Sequence, residues 1–311
     1  MKNKLRRLFM LCPISVILLS LFMSCTPVPE ETMPSPIEIT DQLGRIVRLD
    51  KIPQRIVSLA PSNTEILFDL GLADRLVAVT DYCDYPPEAK DKPSIGGFST
   101  PNIEEVVAHS PDLILAASRH EDKVIPQLEQ KGFAILALSP ETLDKVLSAI
   151  ALVGEATGNK QDASELVTQI RKRIKAVTDT TLCLPPEHRL RVFYAVWHDP
   201  LTTAGSGTLQ DELIQKAGGT NIAYDLTDYS TISLERVIQA NPEVMIAGGG
   251  HGSGKEKPFQ FIETDPRLRD SAARQNNKVY MIDGNLVSRA GPRIVDGLET
   301  FAKFIHPELF K

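Results

Sequence analysis

Residues 102–116 and 233–247 repeat one pattern of polar and apolar positions. Each copy begins with a small polar residue, Asn102 or Ser233. Apolar residues then recur at helical spacing, a proline follows, and the copy ends in an apolar run. Asn and Ser are favoured at the N-terminus of a helix. The pattern therefore predicts a capped short helix, a turn and a buried strand, each occurring twice.

The segments around the two repeats also correspond, and they complete the prediction of fold class. A helix is predicted at residues 65–70, capped by Ser62 or Thr64 and closed by Gly71, and a second helix is predicted to begin at Thr208. Strands that alternate with helices indicate parallel sheets. We expect an α/β fold with two Rossmann-like lobes and a ligand cleft between them. The predicted strands that flank the repeats are residues 55–59, 133–138, 191–196 and 279–282.

Between the repeats, residues 143–156 and 160–180 carry apolar side chains at spacings of three and four, which predicts two helices. We expect the second to be a single long backbone helix that joins the lobes. One stiff helix would allow only modest opening and closing. The predicted organisation is a signal peptide at 1–24, a tether at 25–36, an N-terminal lobe at 37–158, a linking helix at 159–182 and a C-terminal lobe at 183–311.

The N-terminus has the pattern of an export signal. Four basic residues and no acidic ones precede an apolar stretch, which is short for a membrane-spanning helix. Residues 21–25, Leu-Phe-Met-Ser-Cys, resemble the lipobox of bacterial lipoproteins, and that resemblance implies lipidation of Cys25 after cleavage. The alternative is a plain signal anchor with an incidental cysteine. Residues 26–36 hold four prolines, which predicts an extended spacer.

Charge and cysteine content narrow the function classes. The formal net charge is −6, and loss of the first 24 residues with their four basic side chains would make it −10. Such a chain lacks the basic surface that nucleic-acid binding requires.

Beyond Cys12 and Cys25, only Cys83 and Cys183 remain, with no CxxC pair, so a zinc site is not indicated. In an exported protein these two could form a disulfide or stay free.

Four strings in the chain together resemble the cobalamin-binding proteins of ABC importers, within the helical-backbone class that also binds siderophores and haem. The resemblance covers residues 40–308. It implies a substrate-binding lipoprotein without enzymatic activity or cofactor, a monomer held at the outer face of the cytoplasmic membrane or in the periplasm. The implied partners are a corrinoid, a permease homodimer and its cytoplasmic ATPase. The four strings are residues 55–65, 79–87, 96–104 and 288–294.

The resemblance also implies individual residue roles. Glu104 and Glu235 match the glutamates that dock on arginines of the permease, although a first-turn Glu also simply favours a helix dipole. Arg289 is the expected donor to corrin amides, and aromatic side chains should wall the apolar macrocycle. The expected ligand-binding residues are Tyr82, Phe98, Trp197, Tyr229, Asn285, Leu286, Ser288 and Arg289.

Three other functions, nucleotide binding, metal binding and hydrolysis, are not supported by the sequence. Residues 249–255 fit most of a phosphate-binding loop, but Glu256 stands where Ser or Thr should hold a magnesium ion. The six histidines are scattered, which predicts no metal site, although His198 could face the cleft and ligate cobalt. A secreted hydrolase is disfavoured because there is no GxSxG motif, and Ser206 lacks the surroundings of a nucleophile. The nearer alternative is a ferric siderophore or haem binder of the same fold, and a siderophore site should carry several Arg or Lys side chains.

Overall fold

The computed structural model describes residues 36–249 and 256–310. The predicted signal peptide, Cys25, nearly all of the tether and most of the phosphate-loop-like segment lie outside the described residues. Within the described ranges, no helix combines the length and apolar character needed to cross a membrane.

The N-terminal lobe contains a parallel sheet of four strands in the order β4-β3-β5-β6. Strands β3, β5 and β6 are almost wholly buried, as expected of parallel strands covered on both faces. An antiparallel hairpin of β1 and β2 precedes the sheet. The strands are β1 (Ile37–Thr40), β2 (Ile46–Leu49), β3 (Ile56–Ser58), β4 (Leu76–Ala78), β5 (Leu113–Ala117) and β6 (Ile135–Leu138), and the helices are α1 (Pro61–Asp69), α2 (Ile103–Ala108) and α3 (Val124–Glu129).

Two helices, α4 (Leu143–Thr157) and α5 (Lys160–Thr181), follow the first sheet, and α5 is the long helix that joins the lobes. Gly154 lets the two helices pack closely, since a Cβ atom there would lie 2.3 Å from the Cβ of Ala163. A single hydrophobic cluster includes Leu115 of β5, helix α5 and Phe301 of the other lobe. Because the lobes share this core, independent movement would expose apolar surface.

The C-terminal lobe contains a six-stranded sheet in the order β10-β8-β7-β11-β12, with β9 also paired to β7. Strands β7, β11 and β12 are parallel, as predicted. The short β9, which was not predicted, is also parallel to β7, whereas β8 and β10 add an antiparallel edge. The two-residue connection from β7 to β8 can only reverse the chain. The elements are β7 (Arg191–His198), β8 (Leu201–Ala204), α6 (Leu209–Lys216), β9 (Thr220–Asn221), β10 (Tyr229–Thr231), α7 (Leu234–Ala240), β11 (Val244–Gly249), α8 (Lys257–Thr264), α9 (Ala272–Gln275), β12 (Val279–Asp283), α10 (Gly284–Ser288) and α11 (Ile294–Ile305).

The helix caps test the sequence predictions residue by residue. Asn102, Thr208 and Ser233 each accept a hydrogen bond from the first turn of their helix, as predicted. The predicted cap of α1 by Ser62 or Thr64 is wrong: α1 begins at Pro61, whose ring presets the backbone for the first helical turn. The hydroxyl of Thr64 instead donates to Ser58 Oγ at 2.8 Å.

The two cysteines of the folded part are not paired. Cys83 is buried, with its sulfur 3.1 Å from Thr64 Oγ1, while Cys183 is exposed. The disulfide alternative is therefore wrong.

Candidate functional site

A cavity of about 620 Å³, the larger of two described below, lies between the lobes. Its floor is formed where β3, β5 and β6 end, because the carboxyl ends of parallel strands leave a crevice at one edge of the sheet. The second lobe contributes Ser288, Arg289 and Ala290 from the end of α10. Among the lining residues of the first lobe are Ala60, Ser62, Tyr82, Phe98, Ser118 and Ser139.

A second cavity, of about 350 Å³, lies in the C-terminal lobe at the ends of β7, β11 and β12. Trp197 and Tyr229 form part of its wall, and the side chain of Ser288 lines both cavities. The two cavities therefore adjoin along α10. Both volumes fall in the range of about 300–1,000 Å³ that is usual for small-molecule sites.

Six of the eight predicted ligand residues line these cavities. Tyr82, Phe98 and Arg289 line the larger one, Trp197 and Tyr229 the smaller one, and Ser288 both. The other two do not. Leu286 packs against the hydrophobic core, and Asn285 has a buried Oδ1 without a hydrogen-bond partner among the described residues. His198 also lines neither cavity.

Phe98 is held in place by a buried histidine. The Nδ1 atom of His120 accepts a hydrogen bond from the Ala117 amide at 3.0 Å, so Nε2 carries the proton and donates to the Phe98 carbonyl at 2.6 Å. Burial lowers the pKa of His120, which favours this neutral form. The Phe98 and His120 rings also meet edge to face, with their centroids 5.3 Å apart. Phe98 is thus fixed at the cavity wall before any ligand binds.

The aromatic residues of the smaller cavity are fixed in the same way. The Tyr229 hydroxyl donates to Gln210 Oε1 at 2.9 Å, and the buried Gln210 amide donates to the Val287 carbonyl at 3.0 Å. Trp197 Nε1 donates to the Asp199 carbonyl at 2.9 Å. Rings held by hydrogen bonds lose little conformational entropy on binding.

A cluster of charges at the floor of the cleft joins the lobes. Glu65, on α1, accepts two hydrogen bonds from the Arg293 guanidinium, at 3.0 and 2.6 Å, and its side chain is only 1% exposed. Gly291 makes room for this contact, since a Cβ atom there would lie 3.3 Å from Glu65 Oε2. The Tyr85 ring covers Arg293, whose guanidinium carbon lies 3.6 Å from the ring centroid. The lobes are therefore bridged by a buried ion pair.

Arg289 is also engaged across the cleft. Its Nη1 donates to Asp84 Oδ1 at 2.6 Å and lies 3.5 Å from Glu65 Oε1, and its Nη2 donates to the Tyr82 carbonyl at 3.2 Å. Burial opposes ionisation of Asp84, but the hydrogen bond and charge of Arg289 outweigh it, so the pKa of the Asp84 carboxyl lies below its usual value. The expected ligand donor is therefore occupied by the opposite lobe.

No local sequence pattern distinguishes the other members of this cluster as partners of one another. Glu65, Asp84 and Arg293 lie within the strings that carry the family resemblance, but their pairing joins positions more than 200 residues apart. One local signal was present for Glu65, because it is a charged residue beside the apolar Ile66 and Leu67 in a short helix.

Comparisons with known proteins agree with this architecture. Residues 56–286 match the periplasmic binding protein family. An uncharacterized ABC transporter substrate-binding lipoprotein of Bacillus subtilis is 31% identical over 290 residues, which cover 91% of this chain and 89% of that protein.

Two solved structures show the same fold. A periplasmic vitamin B12-binding protein of Vibrio cholerae is 28% identical, with a TM-score of 0.71 over 82% of this chain and 98% of its own. A periplasmic haem-binding protein of a Roseiflexus species is 26% identical, with a TM-score of 0.72 over the same shares. The chain therefore belongs to the periplasmic binding protein family, and it is a substrate-binding protein of the ABC-importer type, not an enzyme.

Proposed function

We propose that this protein captures a corrinoid such as cobalamin in the cleft and delivers it to an ABC permease. The observation that carries the proposal is a cleft with aromatic walls whose one lining arginine is already neutralised. A corrinoid is a broad apolar macrocycle edged with amides, so it needs flat apolar walls and neutral hydrogen-bonding groups. The vitamin B12-binding relative supports this choice, and the haem-binding relative makes haem the principal competitor.

Aromatic side chains from both lobes would contact opposite parts of the macrocycle. Tyr82 and Phe98 belong to the first lobe, and Trp197 and Tyr229 to the second. Ser288 lies where the cavities meet and could hydrogen-bond a peripheral amide. Haem or a ferric siderophore would instead bring anionic groups. Among the described residues that line the two cavities, Arg289 is the only basic one, and it is paired.

Delivery would use Glu104 and Glu235. Each is the second residue of its helix, in α2 and α7, and each side chain is exposed. Neither forms an ion pair with a described residue, so both carboxylates are available to arginines of a permease. Lipidation of Cys25 would hold the protein at the outer face of the membrane, and the Bacillus subtilis relative, which is named a lipoprotein, supports this placement.

Calorimetric titration with cyanocobalamin, haemin and a ferric siderophore tests the ligand class. Trp197 is the only tryptophan of the chain and lines the smaller cavity, so its fluorescence reports on the cleft directly. We expect one-to-one binding of cyanocobalamin at micromolar or lower Kd, with quenching of Trp197. Binding of haemin or the siderophore without cyanocobalamin would contradict the corrinoid assignment.

Replacement of Tyr82 should weaken corrinoid binding. Its side chain lines the larger cavity, and 59% of the residue is exposed, so Tyr82→Ala should leave stability nearly unchanged and remove one aromatic wall. We expect affinity to fall about tenfold. The matched control is Tyr224→Ala, since Tyr224 is 67% exposed and lines neither cavity. An equal loss in both variants would argue against a cleft role for Tyr82.

A further inference from the structure

The ion pair between Arg289 and Asp84 fixes the charge that the cleft presents to a ligand. The Arg289 side chain is 10% exposed, and the residue lines the larger cavity. Asp84, whose side chain is 44% exposed, comes from the opposite lobe and does not line that cavity. The Asp84 carboxylate therefore neutralises Arg289 without lining the cavity that the ligand would occupy.

The charges that are in direct contact balance, and Asp69 and Asp283 add negative charge near Arg293. Glu65 and Asp84 carry two negative charges, and Arg289 and Arg293 carry two positive ones, all within one hydrogen-bonded cluster. Arg293 donates two hydrogen bonds to Glu65 and is covered by the Tyr85 ring. The acidic Glu141, which also lines the larger cavity, pairs with Lys145. Along the described lining of the cleft, no positive charge is thus left for an anionic ligand.

We infer that Asp84 is a specificity residue: by holding Arg289, it makes the cleft select ligands with neutral polar edges and disfavour those that carry carboxylates. This inference rests on the proposed function of the cleft and names the class of substrate that it takes. An anionic group placed beside Arg289 would have to compete with Asp84 and would also approach the carboxylates of Asp84 and Glu65. A neutral amide can accept from an unused N–H of Arg289 without breaking the pair.

Substitution of Asp84 by Asn separates the effect of its charge from the effect of its shape. Asn keeps the shape but removes one negative charge, so the four-residue cluster becomes positive by one unit. Arg289 then keeps only neutral acceptors and the more distant Glu65, which makes its charge more available to an anion. The matched control is Asp81→Asn, which makes the same charge change in the same loop. Asp81 accepts from Ser94 Oγ and is not a partner of Arg289.

The ligand probes are cyanocobalamin and its mono-acids, in which a single peripheral amide is hydrolysed to a carboxylate. The two ligands have nearly the same shape and differ by one charge. Each is titrated into the purified full-length protein and into both variants, and the ratio of the two Kd values is compared. A general loss of folding would weaken both ligands together and leave this ratio unchanged.

We expect the wild-type protein to bind the amide about tenfold more tightly than the least favoured mono-acid, Asp84→Asn to abolish or reverse that preference, and Asp81→Asn to retain it. An unchanged ratio in Asp84→Asn, or an equal change in both variants, would overturn the inference. If cyanocobalamin does not bind at all, the corrinoid proposal fails. The role of Asp84 is then measured by the same ratio for haemin dimethyl ester and haemin, which also differ in carboxylate charge.

Discussion

Loss of both Glu104 and Glu235 should abolish uptake and leave ligand affinity unchanged. In the Glu104→Ala/Glu235→Ala variant, each lobe loses the carboxylate proposed to meet an arginine of the permease. Removal of one partner from a desolvated, hydrogen-bonded charge pair typically costs about 2–5 kcal/mol. Loss of two such pairs would weaken docking by roughly a thousandfold or more. Neither residue is among the described residues that line the two cleft cavities, so binding of the ligand should not change.

The measurement is uptake of labelled ligand by cells that carry the variant in place of the wild type, together with titration of the purified variant. The control is Glu105→Ala/Glu263→Ala, which removes the same charge from exposed positions on each lobe. We expect the control to transport normally and each single variant of Glu104 or Glu235 to be impaired. Normal uptake by the double variant, or a parallel fall in affinity, would refute the docking assignment.

The parts of the fold that could be predicted from sequence are those set by neighbouring residues. Strand and helix periods, the caps at Asn102, Thr208 and Ser233, and the internal repeat all depend on positions a few residues apart. The start of α1 was missed because Pro61 opens the helix before the polar residues that resembled a cap. The antiparallel edge formed by β8 and β10 was missed because a short hairpin carries little pattern of its own.

The site was only partly predictable for a different reason. The family resemblance pointed to the aromatic residues of the walls. The charges that join the lobes are paired across 228 residues for Glu65 and Arg293 and across 205 residues for Asp84 and Arg289. No local periodicity encodes such a pair, so the sequence predicted Arg289 to be a free hydrogen-bond donor to the ligand. The three-dimensional contact changes its role from a free cation to a neutralised one.

Glu65 should contribute strongly to the free energy of unfolding through its buried ion pair. Glu65→Ala would leave the Arg293 guanidinium, whose side chain is only 15% exposed, without its carboxylate and in contact chiefly with the Tyr85 ring. Breaking a buried ion pair by removal of one partner costs about 3–5 kcal/mol, because the remaining charge stays desolvated. We expect the free energy of unfolding in urea to fall by about that amount.

Two further variants distinguish this buried ion pair from a solvent-exposed ion pair. Glu38→Ala breaks the exposed pair with Arg48 and should cost less than about 1 kcal/mol. Glu65→Gln/Arg293→Met removes both charges, and it should be more stable than Glu65→Ala because no buried charge is left unpaired. A cost for Glu65→Ala as small as that for Glu38→Ala, or a Glu65→Gln/Arg293→Met variant no more stable than Glu65→Ala, would show that the bridge is not a coupled buried pair. The expected result would predict limited lobe movement, because separating the lobes would expose a shared apolar core and also remove two arginines from the carboxylates that hold them.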